Sequence, residues 1–310
     1  MKLTLSLGLG LLLLGARPCR ALTSAGAEPL NFLFLDANAR PVAMAGAYTA
    51  LASDSNALLY NPGGLGRVRR HEATFMHNQY FGGITQEYLG VALRQGLGLN
   101  LNYLSAGGVA RTTISNPDGT SLDFTGLTDW ALGAGYGRSV GGGVSLGLGL
   151  KFIREEIAGI SASGYAADFG GMYETPFPGL NLGLAVQNIG PPITFEKQSQ
   201  ELPLHYRGGA AYAFDLWDCK HTVSFDLSKE RSESLLAGFG AETILSKVLA
   251  VRLGYNSRHT NGTGLTGGLG WISKDFSLDL AVVSFGNLGL THRASATVRW
   301  GADGSASAAR

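Results

Sequence analysis

Few residues of the chain have the types and spacing that catalysis or metal binding requires. None of the six histidines lies beside cysteine or carboxylate residues in a zinc-ligand pattern. No serine lies in a G-x-S-x-G turn between a strand pattern and a helix pattern. Glycine runs such as Gly141 to Gly143 lie between strand patterns and do not open helices, which argues against nucleotide binding. The sequence therefore predicts a protein that is not an enzyme and that has no metal and no cofactor.

The other residues that could bind a ligand are single charged residues. They lie on one face of segments in which apolar residues alternate with small or polar ones. Five acidic residues and six basic residues share this position, and a set so balanced argues against an ion-selective pore, which carries rings of one sign. These charges could pair with one another between neighbouring strands and with an internal segment. Alternatively, they could line a path for a ligand. The acids are Glu72, Asp168, Asp226, Glu242 and Asp279, and the bases are Arg94, Lys151, Arg207, Arg252, Arg293 and Arg299.

The segments that must position these residues alternate with a period of two, which is typical of β-strands with one apolar face. From Leu97 to Tyr103, leucines and a tyrosine alternate with glycine and asparagines. Polar residues in the middle of long strands are typical of a polar lumen enclosed by a lipid-facing exterior. The fourteen predicted strands are 71–80, 84–94, 97–106, 128–139, 143–155, 163–175, 179–188, 204–214, 221–228, 235–243, 248–256, 265–273, 277–285 and 292–300.

The connections between these strands alternate in length, as they do in bacterial outer-membrane barrels. Every second connection is short, as periplasmic turns are, and the two longest, Gly107–Leu127 and Ile189–Pro203, both fall on the opposite side. Trp271 and Trp300 lie near predicted periplasmic strand ends, where aromatic rings favour the membrane interface. The predicted fold is all-β: a transmembrane antiparallel β-barrel of about fourteen strands with a short N-terminal helical hatch in its lumen.

Composition and the N terminus indicate where the barrel works. The chain is 15% charged with a net charge of +1, which excludes a nucleic-acid-binding footprint. Lys2, the apolar run Leu3 to Leu14 and a small-residue site predict a signal peptide cleaved after Ala27, or alternatively after Ala21. The expected location is the outer membrane of a diderm bacterium. The predicted organisation is 1–27 signal peptide, 28–69 hatch, 70–300 barrel and 301–310 tail.

The segment Arg40 to Gly66 is weakly helical and ends in a Pro-Gly-Gly break, unlike the strands that follow. Ser53 or Asp54 is expected to cap a short helix through Leu59. Pro62 biases Asn61 toward an extended conformation, and Gly63-Gly64 is expected to end the helix. The Asn61 side chain could pair with charges on the barrel wall. Such a segment could act as a structural plug or as a moving gate.

The same segment resembles the N-terminal signature of the PorV/PorQ family of outer-membrane barrels, which is related to the FadL long-chain fatty-acid transporters. Ala45 and Gly63 depart from that signature, in which Gly and Ala are expected. The resemblance continues through Gln187-Asn188-Ile189-Gly190-Pro191 and through Phe285 to Arg293. The hatch residues that carry it are Arg40, Pro41, Met44, Gly46, Asp54, Asn61, Pro62, Gly64 and Leu65.

The resemblance implies a barrel that binds exported proteins or supports their passage, as in type IX secretion, through its long outer loops. The alternative is a FadL-like hatch-gated channel for long-chain fatty acids or other hydrophobic small molecules. A purely structural barrel and an enzyme with a Ser–His or Asp–His pair at the rim are further alternatives. The expected partners are outer-membrane lipid, with exported proteins, secretion components or a hydrophobic ligand in the lumen, and no nucleic acid.

Overall fold

The computed structural model describes residues 30–110, 112–118, 124–195, 197–231, 234–258 and 262–303. The predicted signal peptide, His259, Asn261 and residues 304–310 of the predicted tail lie outside these ranges. Within the described residues, no helix combines the length and the apolar character that crossing a membrane requires.

Fourteen antiparallel strands form a closed barrel in which each strand pairs with its neighbours along the chain and β1 pairs with the last strand, β16. Two further short strands, β8 and β9, form a hairpin in the connection between β7 and β10. The strands are β1 His71–Gln79, β2 Ile84–Ala92, β3 Leu97–Ala110, β4 Phe124–Gly141, β5 Val144–Ile157, β6 Ile160–Glu174, β7 Leu180–Ile189, β8 Ile193–Phe195, β9 Gln198–Gln200, β10 His205–Leu216, β11 Cys219–Glu230, β12 Leu235–Leu245, β13 Leu249–Asn256, β14 Leu265–Ile272, β15 Phe276–Ser284 and β16 Leu290–Trp300.

The predicted fold is confirmed, and each predicted strand corresponds to one strand of the barrel. The sequence pattern missed two features at the end with the longer connections. There β3 and β4 continue beyond the predicted strands to Ala110 and from Phe124, and β8–β9 folds back instead of remaining a loop. Ile193 of this hairpin and Leu202 after it are buried against β6 and the hatch. We call this end of the barrel the outer end and the opposite one the periplasmic end, because short turns face the periplasm in such barrels.

The outward faces of the strands form an apolar belt. Phe75, Leu89, Leu132 and Leu253 all expose large side chains there, although water would disfavour such a surface. The residues next to them in the chain point inward and are small or polar, as Thr74 and Gly90 are. Because this pattern is the inverse of that of a water-soluble protein, the belt is the surface that meets membrane hydrocarbon.

The hatch runs through the lumen from the outer end to the periplasmic end. It comprises a 3₁₀ turn at Asn31–Phe34, helix α1 at Ala39–Ala43, helix α2 at Ala57–Tyr60 and a 3₁₀ turn at Pro62–Arg67. Inward-facing glycines make room for it, since a Cβ atom at these positions would meet hatch atoms. These glycines are Gly98, Gly147, Gly170, Gly183, Gly240, Gly254 and Gly268.

Helix α2 is shorter than the sequence predicted, and its cap differs. It begins after Asn56, whose side chain makes no capping hydrogen bond, and neither Ser53 nor Asp54 is the cap. Asp54 Oδ1 instead accepts a hydrogen bond from the backbone N–H of Asn56 at 3.0 Å. Asn61 is extended as predicted (φ −163°) and itself ends the helix, so Gly63-Gly64 lies in the next turn.

Candidate functional site

Two chambers inside the barrel lie on opposite sides of α1. The outer chamber has a volume of about 270 Å³ and opens between the hatch and the loops at the outer end of β1 and of β13 to β16. Its lining consists of Phe34, Leu35, Asp36, Val42, Ala45, Tyr80, Phe81, Asn256, Arg258, Gly262, Gly264, Thr266, Val283, Ser284, Phe285, Leu288 and Arg293.

Aromatic side chains dominate the rim of the outer chamber. Tyr80, Phe81 and Phe285 contact one another edge to face, with ring centroids 5.4 to 6.2 Å apart. They come from the β1–β2 and β15–β16 turns, which meet because β1 and β16 close the barrel. Val42 and Val283 continue the apolar surface toward α1. The chamber can therefore accept an apolar group at a site that opens to the outer end.

Three charged residues also line the outer chamber. Arg258 pairs with Glu230, and Asp36 of the hatch lies 4.0 Å from Arg207. Arg293 donates to the hydroxyl of Tyr80 at 2.7 Å and stacks over its ring. An apolar chamber with a few fixed polar groups is the usual form of a small-molecule site.

The periplasmic chamber, on the other side of α1, has a volume of about 190 Å³ and a lining that is mostly charged or polar. Its residues are Asn38, Arg40, Asp54, Asn56, Glu72, Glu242, Ile244, Arg252, Ile272, Ser277, Asp279, Thr297 and Arg299. The sequence predicted seven of them as hatch or lumen charges, and six of these are Arg40, Asp54, Glu72, Glu242, Arg252 and Asp279. Arg299 was also predicted to face the lumen.

A chain of ion pairs fixes α1 to the wall of the periplasmic chamber. Arg40 donates to both oxygens of Glu242, at 2.9 and 2.8 Å. The same carboxylate accepts from Arg252 Nε at 2.7 Å, and Arg252 donates in turn to Asp279 at 2.6 Å. Arg252 and Glu242 are fully buried, so each depends on the other for neutralisation. These pairs hold the hatch helix by charge as well as by packing.

Asp54 extends this arrangement on the hatch side. Its carboxylate accepts from the Tyr48 hydroxyl and lies 3.8 Å from Arg40. Burial raises the pKa of the Asp54 carboxyl, and Glu72 raises it further, whereas Arg40 opposes the shift. Arg299 pairs with Glu72 at 2.7 Å on the neighbouring wall.

The second half of the hatch is fixed by hydrogen bonds and close packing, both within the hatch and against the barrel wall. Asn61 Nδ2 donates to the carbonyls of Thr49 and Gly171, at 2.9 and 3.0 Å. The expected pairing of Asn61 with wall charges is therefore wrong; the extended chain brings the side chain against backbone oxygens instead. A Cβ atom on Gly64 would overlap the Ala52 carbonyl oxygen. Arg67 donates to Ser145 and Asn181 at the periplasmic end.

The other predicted hatch residues are buried in the lumen. Pro41 lies in α1, Met44 follows it, and Leu65 packs with Leu58. Gly46 adopts a positive φ of 72° and its carbonyl accepts from Arg207. Pro62 opens the last 3₁₀ turn.

Of the predicted lumen-wall residues, several contact the hatch or one another. Lys151 pairs with Asp168 at 2.8 Å, and Asp226 accepts from the backbone N–H groups of Tyr48 and Thr49. Arg94 is an exception: it lies in the turn after β2 and is exposed at the periplasmic end. The alternating pattern assigned it to the lumen, but β2 ends at Ala92, two residues earlier.

Three acids were not predicted from the sequence: Asp36, and near the outer end Asp129 and Glu155. The last two lie directly opposite each other on β4 and β5 and are buried. Their alternation with apolar residues could have revealed them, since both share the inward face of their strands. Asp36 precedes the segment that carried the family resemblance and belongs to no strand, so no periodic pattern marked it.

The two chambers are cavities of a size that small molecules can occupy. Among the described residues, no group of three or more His, Cys, Asp or Glu side chains could hold a metal ion. The two chambers share no lining residue, and α1 lies between them with Val42 facing one and Arg40 the other.

Comparison with solved structures places this fold among outer-membrane channel barrels. The chain is similar to the CymD monoaromatic hydrocarbon channel, with a TM-score of 0.61 and 11% identity, over 85% of this chain and 97% of the other. It is also similar to a deltaS2 mutant of the TodX monoaromatic hydrocarbon channel, with a TM-score of 0.54 and 11% identity, over the same shares of the two chains. At this identity the likeness concerns the fold.

Sequence comparison adds little to this. No family model matches the chain. A "UPF0164 protein" of Treponema pallidum (strain Nichols) is 27% identical over 164 residues, which are 49% of this chain and 41% of that protein. The chain thus spans about two fifths of the length of the curated relative that it matches. The resemblance to the PorV/PorQ family gains no support from these comparisons, whereas the fourteen-stranded barrel fold is confirmed.

Proposed function

We propose that the protein is an outer-membrane channel that takes up small, predominantly apolar molecules through the outer chamber. The proposal rests on the outer chamber, which has a volume of about 270 Å³, is rimmed by aromatic rings and opens to the outer end. Apolar surface that gathers around a concave site with few polar groups is suited to such ligands. The outer chamber is too small for a long acyl chain to lie in it fully extended, so the proposal favours compact molecules.

Passage from the outer chamber to the periplasmic chamber requires α1 to shift. Its outer side is held by two neutral hydrogen bonds, from Thr266 to the Ala43 carbonyl and from Asn256 to the Ala45 carbonyl. Its periplasmic side is held by the Arg40–Glu242 ion pair. In this proposal the hatch is a gate that separates an apolar entrance from a polar exit.

The test is uptake of a compact neutral probe, phenylacetamide, by intact diderm cells that lack general porins and express the barrel. A Val283→Trp variant fills the outer chamber and serves as the comparison, with heat-modifiable gel migration to verify that it folds. We expect uptake to rise several-fold with the native chain and not with the variant. Equal uptake in both strains, with both barrels folded, would refute the proposal.

A role in protein export, which the family resemblance implied, has one structural feature in its favour. The β3–β4 hairpin extends beyond the rim, and Ile114 near its tip is fully exposed. A photo-crosslinking residue at position 114 would capture an exported protein if the hairpin binds one. Deletion of residues 112–118 would then abolish export binding, whereas the uptake function would persist.

A further inference from the structure

One basic residue of the lumen wall differs from the others in having no carboxylate partner. Lys151, Arg207, Arg252 and Arg299 each lie within 4.0 Å of a carboxylate oxygen. Among the described residues no such partner faces Arg293, although its side chain lies in the lumen and only 4% of the residue is exposed. A buried guanidinium without a counter-ion is costly, because the low dielectric of the interior disfavours an uncompensated charge.

The contacts that Arg293 does make are neutral. It donates to the Tyr80 hydroxyl at 2.7 Å and, weakly, to Thr291 at 3.4 Å, while its Nε has no partner. Asn78, directly opposite on β1, also has an unpaired amide oxygen, which could accept a hydrogen bond from this Nε. That bond would satisfy one N–H group but would leave the positive charge uncompensated.

The charged residues around the outer chamber also have an excess of positive charge. Asp36 and Arg258 also line it, and their partners are Arg207 and Glu230. Of the charged residues that line the chamber, Arg258 and Arg293 are positive and Asp36 is negative, so the lining carries one net positive charge. A compact anion in the chamber would neutralise it.

We propose that the outer chamber selects compact anions with an apolar body, such as aryl or short alkyl carboxylates, and that Arg293 binds their carboxylate. This inference rests on the proposed uptake function and narrows its substrate class. The apolar body would lie against Phe81, Phe285 and Val42, as a neutral molecule would. The guanidinium group presents paired N–H donors that match the two oxygens of a carboxylate. A neutral amide of the same shape has one carbonyl oxygen and cannot accept both hydrogen bonds in this way.

The test compares phenylacetate with phenylacetamide by titration calorimetry of the purified full-length barrel in detergent. The two probes have nearly the same size and differ in charge. We expect the native protein to bind phenylacetate at least tenfold more tightly. Arg293→Gln should reduce this ratio to about one and change the phenylacetamide affinity less than threefold. Arg293→Lys, which keeps the charge without the paired N–H donors, should give an intermediate ratio.

The matched control is Arg154→Gln, which removes one positive charge from the outward face of β5, where Arg154 pairs with the exposed Glu156. Its ratio should stay at the native value. If the native protein binds both probes equally, or if Arg293→Gln keeps the tenfold ratio, the inference is overturned while the uptake proposal stands. If neither probe binds the folded native protein, the uptake proposal itself fails.

Discussion

The two chambers on either side of α1 differ in the chemistry of their linings. The outer chamber is rimmed by half-buried aromatic rings from two turns, and α1 is tied to its wall by neutral hydrogen bonds. The periplasmic chamber is lined by charged side chains in contact, and α1 is tied there by a bidentate ion pair. The difference indicates that ligand binding and retention of the hatch depend on different sides of α1. Ligand binding should depend on the outer side, and hatch stability on the periplasmic side.

The strongest test of this separation is Glu242→Gln. The change leaves Arg40 and the fully buried Arg252 with weaker partners, which should cost about 3–5 kcal/mol because a buried ion pair is broken on one side. Single-channel conductance in planar bilayers should rise as the hatch loosens. The outward-facing Glu156→Gln is the control, since its exposed pair with Arg154 is worth about 0–1 kcal/mol. Equal conductance in both variants would contradict the assignment.

A second test concerns the tight packing of the hatch beyond α2. Gly64→Ala should lower stability by about 1–3 kcal/mol, because the new methyl group overlaps the Ala52 carbonyl and backbone must move. The measurement is the temperature at which the protein changes to its unfolded gel migration. Gly107→Ala, where a Cβ atom meets nothing within 4 Å, should leave that temperature unchanged. Similar shifts in both variants would show that hatch packing is not the cause.

On the outer side, Phe285→Ala should affect binding and leave the fold intact. The ring contacts Tyr80 and Phe81, and aromatic contacts of this kind are worth about 0.5–1.5 kcal/mol. Phenylacetamide affinity should therefore fall about three- to tenfold in calorimetry. Phe75→Ala removes a lipid-facing ring instead and should not change it. A loss of affinity in both variants would mean that the probe partitions into the detergent-covered belt.

The smallest effect is expected for Thr266→Val, which keeps the shape and removes the hydrogen bond to the Ala43 carbonyl. One neutral hydrogen bond contributes about 0.5–1.5 kcal/mol. Conductance should rise far less than in Glu242→Gln. If the two variants have equal effects, the outer side holds α1 as firmly as the periplasmic side, and the separation of roles fails.

The barrel could be predicted from sequence because its rule is local: an inward and an outward residue alternate along every strand, and the turns alternate in length. The predicted wall charges followed from the same rule, apart from Arg94, where the strand ended early; Asp129 and Glu155 obey the rule but were not predicted. The hatch followed another rule. Its direction through the lumen decides that Asp36 meets the outer chamber and Arg40 the periplasmic one, and no periodicity encodes that direction.

The ion-pair partners of the lumen charges could not all be predicted from the pattern within each strand. A balanced count of acids and bases predicted neutralisation. It could not reveal that Glu242 pairs with two arginines, or that Arg293 has no carboxylate partner among the described residues. Arg252 lies directly opposite Glu242 on the next strand, but Arg40 comes from the hatch, 202 residues earlier in the chain. The inward glycines, such as Gly240 and Gly254, carried a readable signal, since small residues on an inward face indicate that something fills the lumen.

The lengthwise path of the hatch constrains how the molecule can assemble. Leu30 lies near the outer end, where its N–H donates to Glu155, and Arg70, just before β1, contacts the β14–β15 turn at the opposite end. Were the barrel to close first, the apolar Leu30–Phe34 segment would have to travel past the charged residues around Glu242 to reach its place. Pairing of β1 with β16 after the wall has gathered around the hatch avoids that crossing, so we expect the hatch to be in place before the last strand joins the first.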